Sequence, residues 1–530
     1  MTYDVIVVGG GHNGLVAAGY LARAGWRVVV CERRPVVGGA AVSERPFGPD
    51  YTVTSLSYVV SLLPPDLVRD LRLAQHGYHV YPQGPYFAPR ADGRALRMAT
   101  DPRRRHAFLS EFGRADADAY EEWDAWLGRL GATVGPLLHQ IPPKLGSHRP
   151  ADLLGQAGLL RHLRRVDVRA AVDLTRLFTA SIADLVEPRF ASDAVRGLLS
   201  VSGVIGTWAG PRSAGTGYVM LHHHVGEVGG QQAAWGFPRG GMGGVSNALA
   251  AAARAFGAEI RCAAPVDRIL TAGGAVRGVA LADGTELRAP TVVTTAHPQV
   301  SFLRLLDPAD LPADFVADIR GWQTRSGTVK VNFAVDRLPV LAAHPEPDPE
   351  VYGGTIVLAE SLDELENAYQ EAVAGRPATA PFADICIPSV VDPTLAPQGR
   401  HVVSAFTQWV PHTYAAAPHE AELAAYADRL TARVEAVAPG FTASVLHRQV
   451  IGPHAMETEY GLVGGNIFHG ELTPGQMFHA RPAAGYADLR TPVRGLYQAG
   501  SATHGGGGVT GIPGRNVVRQ ILADRRPHRR

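Results

Sequence analysis

The sequence predicts an α/β protein: a parallel β-sheet unit assembled from both ends and the middle of the chain, with α+β material inserted into it. Three observations carry that expectation. An apolar strand runs into a glycine-rich loop at the start of the chain. A second glycine-rich loop near residue 240 leads into a helix and a run of short strands. A third glycine loop, between an apolar strand and a helix, lies near residue 505. The composition, 46% hydrophobic and 19% charged over 530 residues, is that of a folded chain of several domain-sized units.

The first element is the most specific. Residues 3–8 read as a short strand that enters Gly9-Gly10-Gly11-His12-Asn13-Gly14. A helix is expected from 15 to 23, closed by Gly25, and a second strand over 27–31 ends at Glu32. The glycines differ in what they permit. Gly9 allows the tight turn, Gly11 lets a pyrophosphate approach the backbone, and Gly14 lets helix and strand pack closely. Free N–H groups at the helix start then meet the phosphates. Glu32 stands where a carboxylate binds a ribose diol and repels a 2′-phosphate. Together these form a Rossmann-like dinucleotide fingerprint. Beyond it come Arg33 and then Gly38-Gly39-Ala40-Ala41. A nicotinamide cofactor does not need that second glycine pair. It resembles the second glycine element of flavoproteins, so FAD is expected rather than NAD.

Residues 81–235 have a different texture. Helical periods appear over 117–130, 153–163 and 169–185, with Pro and Gly breaks between them. Arg161, Arg164, Arg165 and Arg169 cluster near apolar residues, the pattern of a solvated helix face or of a membrane-surface contact. His222, His223 and His224 are adjacent and so point in different directions, which disfavours a shared metal. From Gly240-Gly241-Met242-Gly243-Gly244 a helix is expected over 245–256. Strands are expected over 259–262, 266–270, 275–281, 285–288 and 291–295, with Asp283-Gly284 as a hairpin turn. His297, next to the last of these, reads as a loop or pocket-wall residue.

At the C-terminal end, residues 495–499 read as a strand, followed by Gly500-Ser501 and the side-chain-free loop 505–508. Val509, Thr510 and Gly511 precede a helix with Pro513 in its first turn. Glycines let a flat ring system lie on the backbone. A helix N-terminus beside it favours the negative charge that a flavin gains on reduction. His504 lies in this loop and is the candidate catalytic group, with acid/base work or a loop-shaping hydrogen bond as its two roles.

With these elements in place, the chain resembles the phytoene-desaturase-like flavoproteins of the amine-oxidase superfamily. Within them it is most similar to the branch called pyridine nucleotide-disulfide oxidoreductase domain-containing protein 2. The resemblance runs through Gly38–Val42, residues 57–63, 240–243, 466–470 and 500–504, and so spans most of the chain. It implies a glutathione-reductase-type FAD-binding domain made from residues 1–80, 236–300 and 450–530. A mostly helical region would occupy 81–235 and a substrate-binding α+β region 301–449. It also implies that Val266 presents backbone to the adenine and that Tyr58 and His469 border the substrate. A hydrophobic small molecule would lose hydride to the flavin, with dioxygen or a quinone as the final acceptor. Amine oxidation, flavin-dependent isomerisation and a non-catalytic binding role on the same fold remain open alternatives.

The branch name does not fit the cysteines. Cys31, Cys262 and Cys386 are far apart, so neither a redox dithiol nor a metal site is expected. A net charge of +1 gives no field for nucleic acid. A strand beginning at residue 3 leaves no room for a signal peptide, and no apolar run reaches the length of a membrane span. A cytoplasmic location follows as an expectation, with a peripheral membrane contact and the oligomeric state left open.

Overall fold

The structure is a computed structural model that describes residues 2–164 and 166–525. Arg165, one of the clustered arginines, lies outside the described residues. The N-terminal strand Val5–Val8 and its neighbour Val28–Cys31 are buried at every position. Such strands need a sheet that is covered on both faces. They are the third and second strands of a five-stranded parallel sheet in the spatial order 259–261, 28–31, 5–8, 292–294, 496–498. All three glycine-rich segments of the sequence therefore converge on one sheet.

One face of that sheet is covered by three helices. His12–Arg23 packs against both Met242–Ala255 and Ile512–Arg525. The other face is covered by the antiparallel meander Val266–Ala272, Ala275–Leu281 and Glu286–Arg288, with helices Pro298–Leu303 and Ala313–Gly321 beside it. Ile6, Val8 and Val29 of the sheet share a core with Ile269 and Val279 of the meander.

A second sheet of seven strands forms the other half of the molecule, in the order 445–451, 328–335, 401–408, 382–386, 355–358, 86–89, 95–97. Its pairs are antiparallel except 355–358 with 86–89. Two of its strands, Tyr86–Pro89 and Ala95–Arg97, come from the region expected to be mostly helical. The remainder of that region supplies helices, among them Arg114–Leu138, Pro150–Leu163, Val168–Thr179, Ile182–Val186 and Asp193–Val204. The insert is closed at its base by Val80–Pro82 pairing with Gly236–Pro238, so chain leaving and entering the nucleotide domain runs side by side.

The single helix expected over 169–185 is two helices. Ser181 stops the first and starts the second with a capping box: its hydroxyl accepts from the Asp184 N–H, and the Asp184 carboxylate accepts from the Ser181 N–H.

Candidate active site

A cavity of about 470 Å³ runs between the two sheets, a size common for small-molecule sites. Its nucleotide-domain wall is made by Gly9, Gly11, His12, Asn13, Glu32, Arg33, Gly38, Gly39 and Ala40, with Val266, Ser501, Gly508 and Val509. Thirteen residues chosen from sequence thus come together around one space. Gly14, Ala41, Gly500, Thr510 and Gly511 do not line it; they support the residues that do.

The local geometry follows from the glycines. Gly9 has φ +101°. A Cβ on Gly14 would lie 2.1 Å from the Gly9 carbonyl oxygen, so helix and strand touch through backbone there. Gly38 has φ +124°, and its N–H donates to the Gly10 carbonyl at 2.9 Å, which clips the second glycine element onto the first. Ser246 holds the turn by donating to the Ala41 carbonyl at 2.6 Å. Thr510 caps the C-terminal helix, accepting from the Ile512 N–H at 3.2 Å. Val509, at φ +59°, is a β-branched residue in the left-handed region beside the cavity, a conformation that side chain resists.

These residues fit FAD. Gly11 is the N-cap of helix His12–Arg23 and no side chain caps that end. A Cβ on Gly11 would meet nothing closer than the Gly38 carbonyl at 4.0 Å, so the space before the helix is open. His12 Nε2, Asn13 Oδ1 and Arg34 Nη1 are buried without a protein partner. An uncapped helix end with open space in front and polar atoms around it suits a pyrophosphate and its attached chain. The buried Glu32 carboxylate accepts from the Gly10 N–H at 2.7 Å and the Arg34 N–H at 2.8 Å, and it lines the cavity. Arg33 donates to the Thr458 and Glu459 carbonyls at 3.1 and 2.8 Å, so it ties the nucleotide wall to a neighbouring segment.

Among the histidines that face this cavity are His12, His297 and His469. His297 and His469 lie 5.7 Å apart between ring centroids. Burial pushes His12 and His469 down to about 4 and His297 well below its ordinary value. The charge of Arg481 adds to the effect on His297 and His469. Arg481 is itself buried and donates to the carbonyls of Phe468, Ser501, Glu471 and Gln476 at 3.0 to 3.4 Å. It places a positive charge behind the Ser501 loop.

Of the two roles open to His504, the structure shows the hydrogen bond that shapes the loop. The ring does not line the cavity; its Nε2 donates to the Leu137 carbonyl at 2.9 Å, and burial pushes it down to about 4. A ring held that way fastens the loop to helix Arg114–Leu138 instead of reaching a substrate. Tyr58 and His469 do line the cavity, as expected of pocket residues. So do His223 and His224, each donating Nδ1–H to the carbonyl four residues earlier, while His222 packs 3.5 Å from a Cβ position on Gly508.

The opposite wall, on the seven-stranded sheet, holds a group that reading the sequence does not single out. Lys330 and Asp384 are buried on neighbouring parts of the sheet and both face the cavity. The Lys330 ammonium lies 4.8 Å from the centre of the Tyr58 ring and donates to the Ser404 hydroxyl. Tyr58 and Asp384 line the same corner of the cavity. Burial raises Asp384 to about 7, opposed by Tyr58 and Lys330. Burial lowers Lys330 to about 7, opposed by Cys386 and Asp384. Burial thus moves both groups toward their uncharged forms. The sequence did contain a signal: a lysine within the eight-residue strand Thr328–Val335 and an aspartate within Phe382–Cys386, both strands buried throughout. A charge in such a strand requires a reason.

Comparison with known proteins agrees with this geometry. The chain is 39% identical to pyridine nucleotide-disulfide oxidoreductase domain-containing protein 2 of Rattus norvegicus, over 98% of this chain and 94% of that protein. It is 26% identical to the neurosporene-forming phytoene desaturase of Cereibacter sphaeroides, over 99% and 95% of the two chains. Cyclohexylamine oxidase from Brevibacterium oxydans shares the fold with a TM-score of 0.58 at 21% identity, covering 99% of both chains. The sequence pattern of the flavin containing amine oxidoreductases matches residues 14–514. The chain belongs to that family and is an FAD-dependent oxidoreductase.

Proposed function

We propose that the protein dehydrogenates a largely apolar small molecule held between the nucleotide domain and the seven-stranded sheet. The carrying observation is the composition of the cavity. Leu56, Val59, Ile205, Trp235, Phe406 and Ile467 give it apolar walls, and Lys330, Asp384 and Tyr58 form one polar corner. FAD supplies the two-electron acceptor. The apolar walls orient the substrate and exclude water. The Lys330–Asp384 corner takes the proton that must leave when a C–H hydride is removed and a double bond forms. Similarity to a phytoene desaturase supports a polyene or isoprenoid-like substrate, and dioxygen or a quinone then removes the electrons. The nucleotide domain is read as the glutathione-reductase type, since its parallel sheet carries the antiparallel meander on one face.

A second reading is oxidation of a C–N bond. It is favoured by Asp384, a carboxylate at the cavity that could face a substrate ammonium. Anaerobic mixing of the yellow holoenzyme with apolar polyenes and terpenes, and separately with primary amines, separates the two. Bleaching by the first group, with products lacking two hydrogens, supports dehydrogenation. Bleaching by amines alone, with release of ammonia, overturns it. Products of unchanged mass would assign the site to isomerisation.

A further inference from the structure

One helix of the inserted region is turned inside out. Pro150–Leu163 has 14 residues, and none of its described side chains is buried. The side chains it turns toward the protein are mostly polar, with the half-buried Leu159 among them. Asp152 lies 3.9 Å from Arg490, Gln156 donates to the Lys144 carbonyl at 2.8 Å, and His162 donates to the Thr133 carbonyl at 3.1 Å. Leu153, Ala157, Leu160 and Arg164 follow helical spacing along the outer side, where all four are exposed. Leu154 is 74% exposed, and Val168, which opens the next helix, is 82% exposed. A helix that served the core would have its leucines on the other side.

The exposure is concentrated. Among the described residues, twelve large apolar side chains are exposed, and seven of them lie between residues 145 and 172. That is a patch and not the scatter of single residues found on any surface. Apart from Asp167, the exposed charges interleaved with it are cationic: Arg149, Arg161, Arg164 and Arg169. Two nearby acids are engaged elsewhere. Asp152 accepts from Ser147, and Asp167 caps the next helix by accepting from the Ala170 N–H. A third, Asp173, offsets Arg169 in part from 3.9 Å. In a chain of net charge +1 this is a local excess of positive charge.

We propose that this surface docks on an anionic lipid bilayer. Leu153, Leu154, Leu160, Leu163 and Val168 would sit at the boundary between headgroups and acyl chains, with the arginines on lipid phosphates. No helix among the described residues is long and apolar enough to cross a membrane, so the contact is peripheral. A second copy of the chain fits this surface less well, because a two-fold interface would bring the same arginines together. The proposal does not depend on which substrate the cavity takes.

Flotation of the holoenzyme with lipid vesicles tests it. The protein should float with vesicles of phosphatidylcholine and phosphatidylglycerol in equal parts. Binding should fall by about tenfold or more on pure phosphatidylcholine or in high salt. The triple variant Leu154→Ser, Leu160→Ser, Val168→Ser should keep its flavin content and melting temperature while losing about tenfold in binding to the mixed vesicles. Wild-type protein that never floats, or a variant that floats equally well, overturns the proposal. So does a wild-type dimer that the variant converts to monomer in light scattering with no change in flotation, since the patch then belongs to a copy of the chain.

Discussion

Lys330 is one of two lysines in the chain, and it lines the cavity; under the proposed dehydrogenation it receives the departing proton. With Lys330 lowered to about 7 and Asp384 raised to about 7, the corner accepts protons above neutrality and is filled below it. The rate of the reductive half-reaction should therefore rise with pH through about 7. Lys330→Met should slow flavin bleaching by about 100-fold or more and flatten that rise, whereas Asp384→Asn should move it. A Lys330→Met enzyme with the wild-type pH profile would remove the lysine from the chemistry. At Gly14, any Cβ collides with the Gly9 carbonyl, so Gly14→Ala should purify with little flavin and a lowered melting temperature. The glycines and Glu32 were legible in the sequence because backbone geometry imposes fixed spacings. Lys330 and Asp384 were not, because the groups around them, Tyr58 and Ser404 among them, come from segments distant in sequence. His504 was legible only as a choice between two roles for a related reason: being next to a cofactor loop does not fix which way a ring points, and the Leu137 carbonyl takes its nitrogen.

Among the elements, helix Arg114–Leu138 does more than fill space. Its buried Asp116 accepts from the Ala191 and Ser192 N–H groups at 2.8 and 2.7 Å, just before helix Asp193–Val204 begins. Hydrogen bonds to a charged acceptor are each worth about 1.5–3 kcal/mol, and their loss also leaves buried donors unpaired. Asp116→Ala should lower unfolding free energy by about 3 kcal/mol in a denaturant titration, with flavin content retained in the folded fraction. No measurable loss would mean that water replaces the carboxylate. The strands and helices around the nucleotide sheet were readable almost to their ends, since each is short, apolar and bounded by glycine. Tyr86–Pro89 and Ala95–Arg97 were not, because short edge-side strands show little alternation and owe their existence to pairing with Thr355–Leu358 and with each other.

Across the whole molecule, burial lowers the basicity of several histidines, which should weaken the fold in acid. His12, His223, His469 and His504 are lowered to about 4 and His222 to about 3, each chiefly by burial. The unfolded chain binds protons at these rings near pH 6.5, while the folded chain cannot. Their contribution to stability is complete above about 6.5 and is lost as pH falls toward 4. At pH 5 each ring costs about 2 kcal/mol, so together they approach the whole stability of a typical domain. Thermal melts should drop steeply between pH 6.5 and 5. A His504→Asn variant should show a shallower drop, and an unchanged slope would exclude that ring as a contributor.

The five-stranded sheet has a consequence for how the chain is made. Val292–Thr294 pairs on one side with Val5–Val8, and its other edge is closed only by Leu496–Gln498. During synthesis, residues 295–495 must all emerge before that edge finds its partner. Until then a buried-type strand presents unpaired backbone to its surroundings, as edges open to other chains do. Translation that stalls anywhere in the second sheet leaves a half-built nucleotide domain with a sticky margin. The cell's chaperones, more than the finished fold, then decide whether such a fragment stays soluble.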